Sequence, residues 1–350
     1  MYINESIKNL LRIKSHDERG GVLRLDMNEN PGGLPAELVE SVKLKITPEF
    51  LATYPEKERL VSLIAAHNNL GSDCVTVTSG SDEAMGLAFR CFGKPGSKLV
   101  TVTPTFEMYG VYAGMNGLEN RTINYNDDFT VNAQALIDAI DIETSIVVIL
   151  NPNSPIGSVY SEPEARAIIE KARSVGALVI IDEAYHYFYN KTFIPFVTEY
   201  DNVLVLRTFS KVCSIAGLRV GYAVGNPLIV DVLERAESTF NVNNVGILFA
   251  EEILKNPQII EGQRKIEAEG RAWLTETLTA SGYKVLSFEG NFILFQPKKP
   301  SGDIVAALKT RGVWTRDYGR GILAGYLRVS TGEKRFMERF WYAFEKLDNE

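Results

Sequence analysis

Short apolar runs alternate with helical patterns from residue 74 onward, and this alternation constrains the fold more than any other feature. The apolar runs occupy residues 74–78, 98–102, 146–150, 178–181, 203–206 and 220–224. Helical patterns lie between them at 82–92, 107–115, 133–140, 162–175 and 211–216. Strands that alternate with helices predict a three-layer α/β fold with a mostly parallel sheet. In such a fold, ligands bind at the carboxyl ends of the strands.

The two ends of the chain predict a second, smaller set of elements. A short amphipathic helix is predicted over residues 3–13, and a helix-rich span over 227–281 is broken near Asn256-Pro257. The tail predicts strands at 283–288, 291–296, 313–316 and 326–330 and helices at 302–310 and 332–346. This pattern is typical of a smaller α+β domain, with the domain boundary inside the helix-rich span.

Composition argues against several classes of protein. The formal net charge is −7 and there is no basic stripe, which argues against a nucleic-acid-binding surface. The three cysteines and three histidines are scattered without a C-x-x-C pair, which argues against structural zinc. No apolar run approaches the roughly 18 residues of a membrane helix, and the first residues lack a signal-peptide pattern. We therefore expect a cytoplasmic protein.

A reactive group is predicted where the run at 203–206 ends. Thr208, Ser210 and Lys211 follow this run, and Arg219 stands eight positions beyond the lysine. Two hydroxyls, an amine and a guanidinium at one sheet edge suit an anionic ligand and a nucleophile. Because apolar or cationic surroundings lower the affinity of a lysine for its proton, Lys211 can become nucleophilic. The alternative is an ordinary surface lysine.

The turn after the run at 74–78 is a candidate anion site. Its sequence over residues 79–83 is Ser-Gly-Ser-Asp-Glu, and a predicted helix follows. Backbone N–H groups at the start of a helix bind anions. The alternative is an ordinary capped helix, since Gly80 and Glu83 stand at capping-box spacing.

Asp182 directly extends the run at 178–181. A buried aspartate is costly unless it meets a cation or good donors, so the alternative is a paired core residue. Asp182 precedes Lys211 by 29 positions, a strand–helix–strand distance that lets both face one site. The run at 146–150 ends in a rigid turn that holds polar side chains at the sheet edge, Asn151-Pro152-Asn153-Ser154-Pro155-Ile156-Gly157.

Together these residue types match the requirements of pyridoxal phosphate. A lysine bonds to this cofactor, and an aspartate keeps the pyridine nitrogen protonated so that the ring withdraws electrons. The helix start, the serine and the arginine suit its phosphate. Each feature alone is common, whereas the full set is specific.

The chain resembles the fold-type I pyridoxal-phosphate aminotransferases, and among them the histidinol-phosphate aminotransferase family. The resemblance runs from about Leu25 to Gly332. It rests on the motifs Asn28-Glu29-Asn30-Pro31, Tyr54-Pro55, Gly80-Ser81-Asp82-Glu83, Asn151-Pro152-Asn153, Asp182-Glu183-Ala184-Tyr185, Thr208-Phe209-Ser210-Lys211, Gly217-Leu218-Arg219 and Leu327-Arg328-Val329-Ser330. It implies an arm with part of the small domain over residues 1–45, a large cofactor-binding domain over 46–240 and a small domain over 241–350.

The resemblance implies a role for each cofactor-binding residue. Lys211 would carry the covalent link to the cofactor and later move the proton, Asp182 would pair with the ring nitrogen, and Tyr185 would donate to the ring hydroxyl. The other implied contacts are Ser81, Asp82, Glu83, Thr208, Ser210 and Arg219 around the phosphate, Asn153 at the ring hydroxyl and Tyr109 stacked on the ring. A core tyrosine is the alternative for Tyr109.

The resemblance also implies substrate and subunit contacts. Asn28 and Arg328 would bind the substrate, and the guanidinium of Arg328 can hold a carboxylate or a phosphate through two parallel hydrogen bonds. Tyr54 would reach the phosphate in the neighbouring subunit, so a homodimer is implied.

The chain departs from the family pattern at three places. Ser154 stands where an asparagine often contacts the ring hydroxyl. The family's N-terminal Pro-Tyr segment has no clear counterpart around Arg12 to Glu18, and the usual second basic residue is displaced near residues 316–320. The last two departures concern substrate recognition.

The sequence therefore predicts a pyridoxal-phosphate-dependent aminotransferase of amino-acid biosynthesis that uses a small amine, either a phosphorylated amine or an amino acid, and a 2-oxo acid. One alternative is a pyridoxal-phosphate decarboxylase of an O-phospho amino acid, since the cofactor site would be the same. A second is a non-catalytic binding relative, which the presence of Lys211 disfavours. A nucleotide-binding enzyme is disfavoured because neither G-x-G-x-x-G nor G-x-x-x-x-G-K-[ST] occurs.

Overall fold

The computed structural model describes residues 1, 3, 5–8, 10 and 18–349. The helices are α1 (Glu5–Lys8), α2 (Ala36–Lys43), α3 (Pro48–Ala52), α4 (Glu58–His67), α5 (Gly80–Phe92), α6 (Met108–Met115), α7 (Ala133–Asp138), α8 (Glu162–Ser174), α9 (Phe196–Glu199), α10 (Pro227–Ala236), α11 (Asn244–Lys255), α12 (Pro257–Ala280), α13 (Ser301–Thr310) and α14 (Lys334–Asn349). The strands are β1 (Leu23–Arg24), β2 (Val75–Thr78), β3 (Lys98–Thr103), β4 (Glu119–Asn124), β5 (Thr144–Leu150), β6 (Leu178–Asp182), β7 (Val203–Thr208), β8 (Gly221–Gly225), β9 (Lys284–Leu286), β10 (Phe292–Gln296), β11 (Val313–Trp314), β12 (Arg316–Asp317) and β13 (Leu327–Ser330). Of the predicted helix at 3–13, residues 5–8 are helical, while 4, 9 and 11–13 lie outside the described part.

The main sheet has the strand order β2-β8-β7-β6-β5-β3-β4 within the described chain. Its pairs are parallel, except that β8 runs antiparallel to β2 and β7. Successive residues of β6 and β7 are all buried, and because strand side chains alternate between faces, both faces of the sheet are covered. The predicted α/β fold is confirmed.

A second, antiparallel sheet has the order β12-β13-β10-β9. Its core is a separate apolar cluster that includes Phe295, Phe340 and Phe344, where the last two lie one helical turn apart on α14. Strand β1, near the start of the chain, pairs with β11 in this part of the molecule. This pairing brings residues 26–28 next to the main sheet's ligand edge.

The predicted helix at 211–216 is wrong. The N–H of Ile215 donates to the carbonyl of Phe209 at 3.2 Å, which draws the segment back to the end of β7. Ser214 has a left-handed backbone with φ of +59°, which an α-helix does not accommodate. A single 3₁₀ turn at Ala216–Leu218 follows. The apolar residues of this segment are therefore buried on one side of a turn and not along one face of a helix.

Two further differences concern the outer elements. The helix-rich span at 227–281 breaks at residues 237–243 as well as at Asn256. Strand β4 was not predicted, because its residues are polar and mostly exposed at the sheet edge. None of the described helices is both long and apolar enough to cross a membrane.

Candidate active site

A cavity of about 450 Å³ opens where β6 and β7 end, beside the start of α5. Residues from distant parts of the sequence meet in its walls. The predicted site residues that line it are Ser81, Asp82, Asp182, Tyr185, Thr208, Ser210, Lys211 and Arg219, and Ser154 lines it with them. A larger cavity of about 890 Å³ lies alongside, at the ends of β3 and β4 and against residues 318–323, and shares Phe106 with the first.

Asp182 places a buried carboxylate at the end of β6. Its Oδ2 accepts a hydrogen bond from the hydroxyl of Tyr109 at 2.9 Å, and its Oδ1 accepts one from the N–H of Ala184 at 3.0 Å. Burial raises the pKa of Asp182 to about 6, although the two hydrogen bonds and the positive charge of Lys211 act in the opposite direction. A carboxylate in this state gains most from a cationic N–H group in the cavity.

Lys211 supplies an amine to the same cavity. Its Nζ donates to the backbone carbonyl of Met27 at 2.9 Å and lies 5.7 Å from the centroid of the Tyr185 ring. Among residues 18–349, no carboxylate forms an ion pair with this amine. A neutral carbonyl and a ring hold an ammonium less firmly than a carboxylate would, so the amine is available for covalent chemistry.

The start of α5 and Arg219 form a positively charged end of the cavity. The Nη1 of Arg219 donates to the Oγ of Ser210 at 3.3 Å, and Thr208 Oγ1 donates to the same oxygen at 2.9 Å. Gly80 lies against the guanidinium, and a Cβ atom there would lie 2.5 Å from Nη2. Helix N–H groups, a guanidinium and hydroxyls together suit a phosphate group.

Glu83 holds the helix start and does not belong to the cavity lining. Its Oε2 accepts from the N–H of Ser79 at 2.5 Å and from Nδ2 of Asn241 at 2.8 Å. Asn241 also donates to Glu237, which is ion-paired with Lys57. Glu83 therefore caps the start of the helix through the N–H of Ser79, and not through Gly80 as the capping-box spacing predicted. Asn241 was missed because it lies in a loop between two helices and far from any predicted strand end.

Asn28 lies behind two hydroxyls that line the cavity. Its Nδ2 donates to the Tyr185 oxygen at 2.8 Å and to Ser154 Oγ at 3.5 Å. Its Oδ1 accepts from Ser330 Oγ at 3.0 Å. The side chain is buried and is not among the lining residues, so it reaches the cavity through Tyr185 and Ser154.

Tyr109 and Asn153 lie at the back of the site. The Tyr109 ring is fully buried and its hydroxyl is held by Asp182. The amide of Asn153 accepts from Thr105 Oγ1 at 2.6 Å and donates to the carbonyl of Pro104 at 3.0 Å. Neither residue lines the 450 Å³ cavity, whereas Ser154 does, and Tyr109 lines the larger one. The apolar lining residues that were not predicted include Met27, Phe106, Met108 and Leu150.

Arg328 is a buried cation on β13. Its Nη1 donates to the hydroxyl of Tyr318 at 2.7 Å and to Ser154 Oγ at 3.4 Å, and its Nη2 donates to the carbonyl of Asp26. Within the described residues its Nε has no hydrogen-bond partner, and no carboxylate pairs with the guanidinium. A buried guanidinium without a counter-ion suits an anionic group of a ligand.

Tyr54 lies on the surface and outside the cavity of its own chain. Its ring is 71% exposed and stacks on Phe240, with ring centroids 4.3 Å apart. Phe240 is itself 51% exposed. The stacked pair is therefore an apolar surface feature.

The residues of the cavity fit pyridoxal phosphate. A phosphate matches the start of α5 with Arg219, a pyridinium nitrogen matches the buried Asp182, a carbonyl carbon matches the amine of Lys211, and a phenolic oxygen matches the hydroxyls of Tyr185 and Ser154. The glycine at position 80 leaves room for the guanidinium at the phosphate end. The fold and this site together define a pyridoxal-phosphate-dependent enzyme of fold type I.

Comparison with known proteins gives the family. Residues 21–343 match the family model for aminotransferase class I and II. The chain is 34% identical over 317 residues to histidinol-phosphate aminotransferase of Caldanaerobacter subterraneus subsp. tengcongensis, covering 88% of each chain. It is 33% identical over 322 residues to histidinol-phosphate aminotransferase 2 of Nitrosococcus oceani, covering 89% of this chain and 88% of the relative. The chain therefore belongs to the class I and II aminotransferases, and within them to the histidinol-phosphate aminotransferase family.

A solved structure shows the same fold. The histidinol-phosphate aminotransferase of Sinorhizobium meliloti, in complex with pyridoxal 5'-phosphate, superposes with a TM-score of 0.85 over 93% of this chain and 91% of that chain, at 22% identity. The predicted aminotransferase function and the predicted cofactor are confirmed by family membership.

Proposed function

We propose that this aminotransferase takes the amino group from an amine that carries an anionic group, of the histidinol phosphate class, and passes it to a 2-oxo acid. The observation that carries this proposal is the buried Arg328, which has no carboxylate partner among the described residues and an unused Nε. Relatives at 33–34% identity are histidinol-phosphate aminotransferases, which supports the same substrate class. The larger cavity borders Tyr318, the partner of Arg328, and offers room for the body of the substrate.

Each cofactor-binding residue is assigned to one part of the cofactor according to its position in the cavity. We assign the phosphate to Ser81, Asp82, Thr208, Ser210 and Arg219 at the positively charged end. When bound, pyridoxal phosphate withdraws electrons from the substrate carbon that bears the amino group. Asp182 keeps the proton on the ring nitrogen, because a buried carboxylate with a raised pKa is stabilised by a cationic N–H partner.

Lys211 and Arg328 act on the substrate. The guanidinium of Arg328 binds the anionic group and orients the amine towards Lys211. The Nζ of Lys211 would hold the cofactor covalently, and once the substrate amine has taken that position, this atom would be free to take up the proton of the substrate carbon and to deliver it to the carbon of the cofactor that was bonded to the lysine. A positioned general base of this kind is typically worth about 10²- to 10⁴-fold in rate.

The assignments of three predicted residues are refined by their contacts. We assign the ring hydroxyl to Tyr185 and Ser154, since the amide of Asn153 is already engaged. We assign Glu83 to the helix cap, and Tyr109 to the support of Asp182. Each of these three residues thus serves the cofactor site indirectly.

We further propose that the protein works as a homodimer in the cytoplasm. The exposed Tyr54 and Phe240 form a stacked apolar pair, and Leu51 on the neighbouring α3 is 63% exposed. Burying such side chains against a second copy would remove apolar surface from water. In that dimer Tyr54 would reach the phosphate end of the partner's cavity. The free cysteines suit a reducing compartment.

The substrate assignment is tested by the half-reaction of the cofactor-loaded enzyme. Amines are added one at a time, and the visible absorbance of the bound cofactor and the released product are followed. The panel contains histidinol phosphate, aromatic amino acids, glutamate and small phosphorylated amino alcohols. Histidinol phosphate is expected to discharge the absorbance stoichiometrically with a keto product, and Arg328→Gln to weaken this response far more than the surface control Arg339→Gln.

Two results would contradict the assignment. If uncharged amines react to the same extent as phosphorylated ones, Arg328 does not bind an anionic group of the substrate. Release of carbon dioxide from O-phospho amino acids, without formation of a keto product, would identify a decarboxylase.

A further inference from the structure

Asn28 stands at the junction of the two sheets and is satisfied at every polar atom. Its backbone N–H donates to Ser330 Oγ at 2.8 Å, and its carbonyl accepts from Asn291 Nδ2 at 3.0 Å. Its backbone is left-handed, with φ of +56°, a conformation that asparagine adopts more readily than most residues. The residue is therefore held in one place and one orientation.

Ser330 fixes the direction in which the Asn28 amide faces. Because Ser330 Oγ accepts from the backbone N–H of Asn28, its own proton is free to donate to Asn28 Oδ1, at 3.0 Å. The carbonyl end of the amide thus faces Ser330. The NH₂ end faces the oxygens of Tyr185 and Ser154, at 2.8 and 3.5 Å.

Tyr185 and Ser154 therefore receive hydrogen bonds from behind. A hydroxyl that accepts from one side has a proton left to donate on another. Ser154 Oγ also accepts from Arg328 Nη1, at 3.4 Å. In the described part of the chain, neither hydroxyl donates to another protein group, and both residues line the 450 Å³ cavity. Their protons are thus free to point into the cavity.

We infer that Asn28 is a positioning residue, which turns the hydroxyls of Tyr185 and Ser154 into donors aimed at the phenolic oxygen of the cofactor. This inference rests on the proposed cofactor placement and assigns Asn28 a part different from direct substrate binding. Donors favour the anionic form of the oxygen that they face, so they lower the pH at which the bound cofactor loses its proton. If the two hydroxyls are turned so that they no longer donate to the cofactor, the pH at which the cofactor loses its proton rises.

The test is a pH titration of the visible absorbance of the cofactor-loaded enzyme. In Asn28→Asp the side chain keeps its shape but only accepts, so it draws the protons of Tyr185 and Ser154 away from the cavity. The midpoint is expected to rise by about one pH unit or more, a tenfold change in proton affinity. Asn226→Asp, a helix cap at the opposite sheet edge, is the control that leaves the midpoint unchanged.

A second background separates donor reversal from the charge of the new aspartate. In Tyr185→Phe/Ser154→Ala, both hydroxyls are absent, so adding Asn28→Asp is expected to produce a much smaller shift than in the natural sequence. A shift of equal size in both backgrounds overturns the inference, and so does an unchanged midpoint in Asn28→Asp alone. If Asn28→Asp does not fold, Ser330→Ala decides: it frees the amide to turn, so an upward shift supports the inference and an unchanged midpoint overturns it.

Failure of the proposed function gives a different result. If the proposed substrate class is wrong, the amine panel fails, while the cofactor-loaded enzyme still shows its absorbance band and its midpoint can still be measured in every variant. A band with a midpoint that Asn28→Asp does not move rejects only the role of Asn28.

Discussion

The buried carboxylate of Asp182 needs a cationic partner to stabilise its charged form. It is 3% exposed, and its two hydrogen bonds do not prevent burial from raising its pKa to about 6. Without the cofactor, the folded protein must hold a charged carboxylate in a poorly solvated place at neutral pH. The cofactor-free protein is therefore less stable than its packing alone would allow.

Replacing Asp182 by asparagine is expected to stabilise the cofactor-free protein at neutral pH. Because the pKa in the folded state is raised, the stabilising contribution of Asp182 is complete below its unfolded pKa and is lost as pH rises through about 6. The stability of Asp182→Asn relative to the natural sequence should grow by up to about 3 kcal/mol between pH 4 and pH 7. Urea unfolding of both cofactor-free proteins measures this difference, and a difference that does not depend on pH would contradict the assignment.

At the scale of single residues, the sequence predicted the groups that stand directly at strand ends. Asp182 is the last residue of β6 and Lys211 lies three positions after the end of β7, so both positions follow from the buried strands. Asn153 and Ser154 are neighbours in a turn, and the sequence could not tell which of them lines the cavity. That choice depends on a hydrogen bond to Thr105, which lies on a different loop.

At the start of α5, Gly80 and Gly221 allow the helix start, strand β8 and Arg219 to lie close together. A Cβ at Gly80 would collide with the guanidinium of Arg219, and one at Gly221 would collide with the backbone N of Ser81. Gly80 also has a φ of +78°, which other residues adopt at a cost. The close approach aligns the helix N–H groups with Arg219.

Substituting either glycine by alanine should weaken cofactor binding. Displacement of the helix start or of Arg219 is expected to lower the affinity for pyridoxal phosphate by about tenfold or more in Gly80→Ala and in Gly221→Ala. Gly262→Ala is the matched control, because nothing lies within 4 Å of a Cβ there and the residue is inside α12. Its affinity should be unchanged and its stability equal or slightly higher. Equal affinities in all three variants would contradict the proposed phosphate site.

At the scale of elements, buried strands could be predicted and surface or irregular elements could not. Strands β5, β6 and β7 each contain a continuous apolar run of at least four residues because both sides of each strand are covered. Strand β4 has the composition of a loop, since an edge strand is held by backbone hydrogen bonds and does not need apolar side chains. The segment at 211–216 has helical spacing, yet contacts with the end of β7 fold it into a turn.

For the molecule as a whole, the position of Tyr54 decides whether one chain suffices for catalysis. The residue lies outside the cavity of its own chain, and its exposed ring has no role there. In the proposed homodimer, that ring would lie at the phosphate of the partner's cofactor.

Mixing two inactive variants tests this arrangement. Tyr54→Ala and Lys211→Ala are each expected to have low activity, and their mixture should recover about a quarter of the natural activity after subunit exchange, because a mixed dimer has one site with both residues intact. A mixture that stays inactive although mixed dimers form would show that Tyr54 does not act on the partner. In the control mixture, Lys211→Ala is combined with Leu228→Ala, a change at an exposed position on α10, in place of Tyr54→Ala.

The sequence predicted the architecture of the whole molecule, including the mostly parallel sheet and the smaller α+β part. It did not predict the contacts across those parts. Asn28 is joined to Tyr185 and Ser330, which lie 157 and 302 positions away, and no local pattern encodes such pairs. Arg328 was found through its motif, whereas its partner Tyr318 depends on how β13 packs.

We propose that Lys211 is the amine that carries the cofactor, and borohydride trapping tests this assignment. The cofactor-loaded protein is reduced with borohydride, digested, and searched by mass spectrometry for the peptide with the cofactor attached. We expect the label on Lys211 and no labelled peptide from Lys211→Ala. A label on another lysine, or full labelling in Lys211→Ala, would contradict the assignment of Lys211.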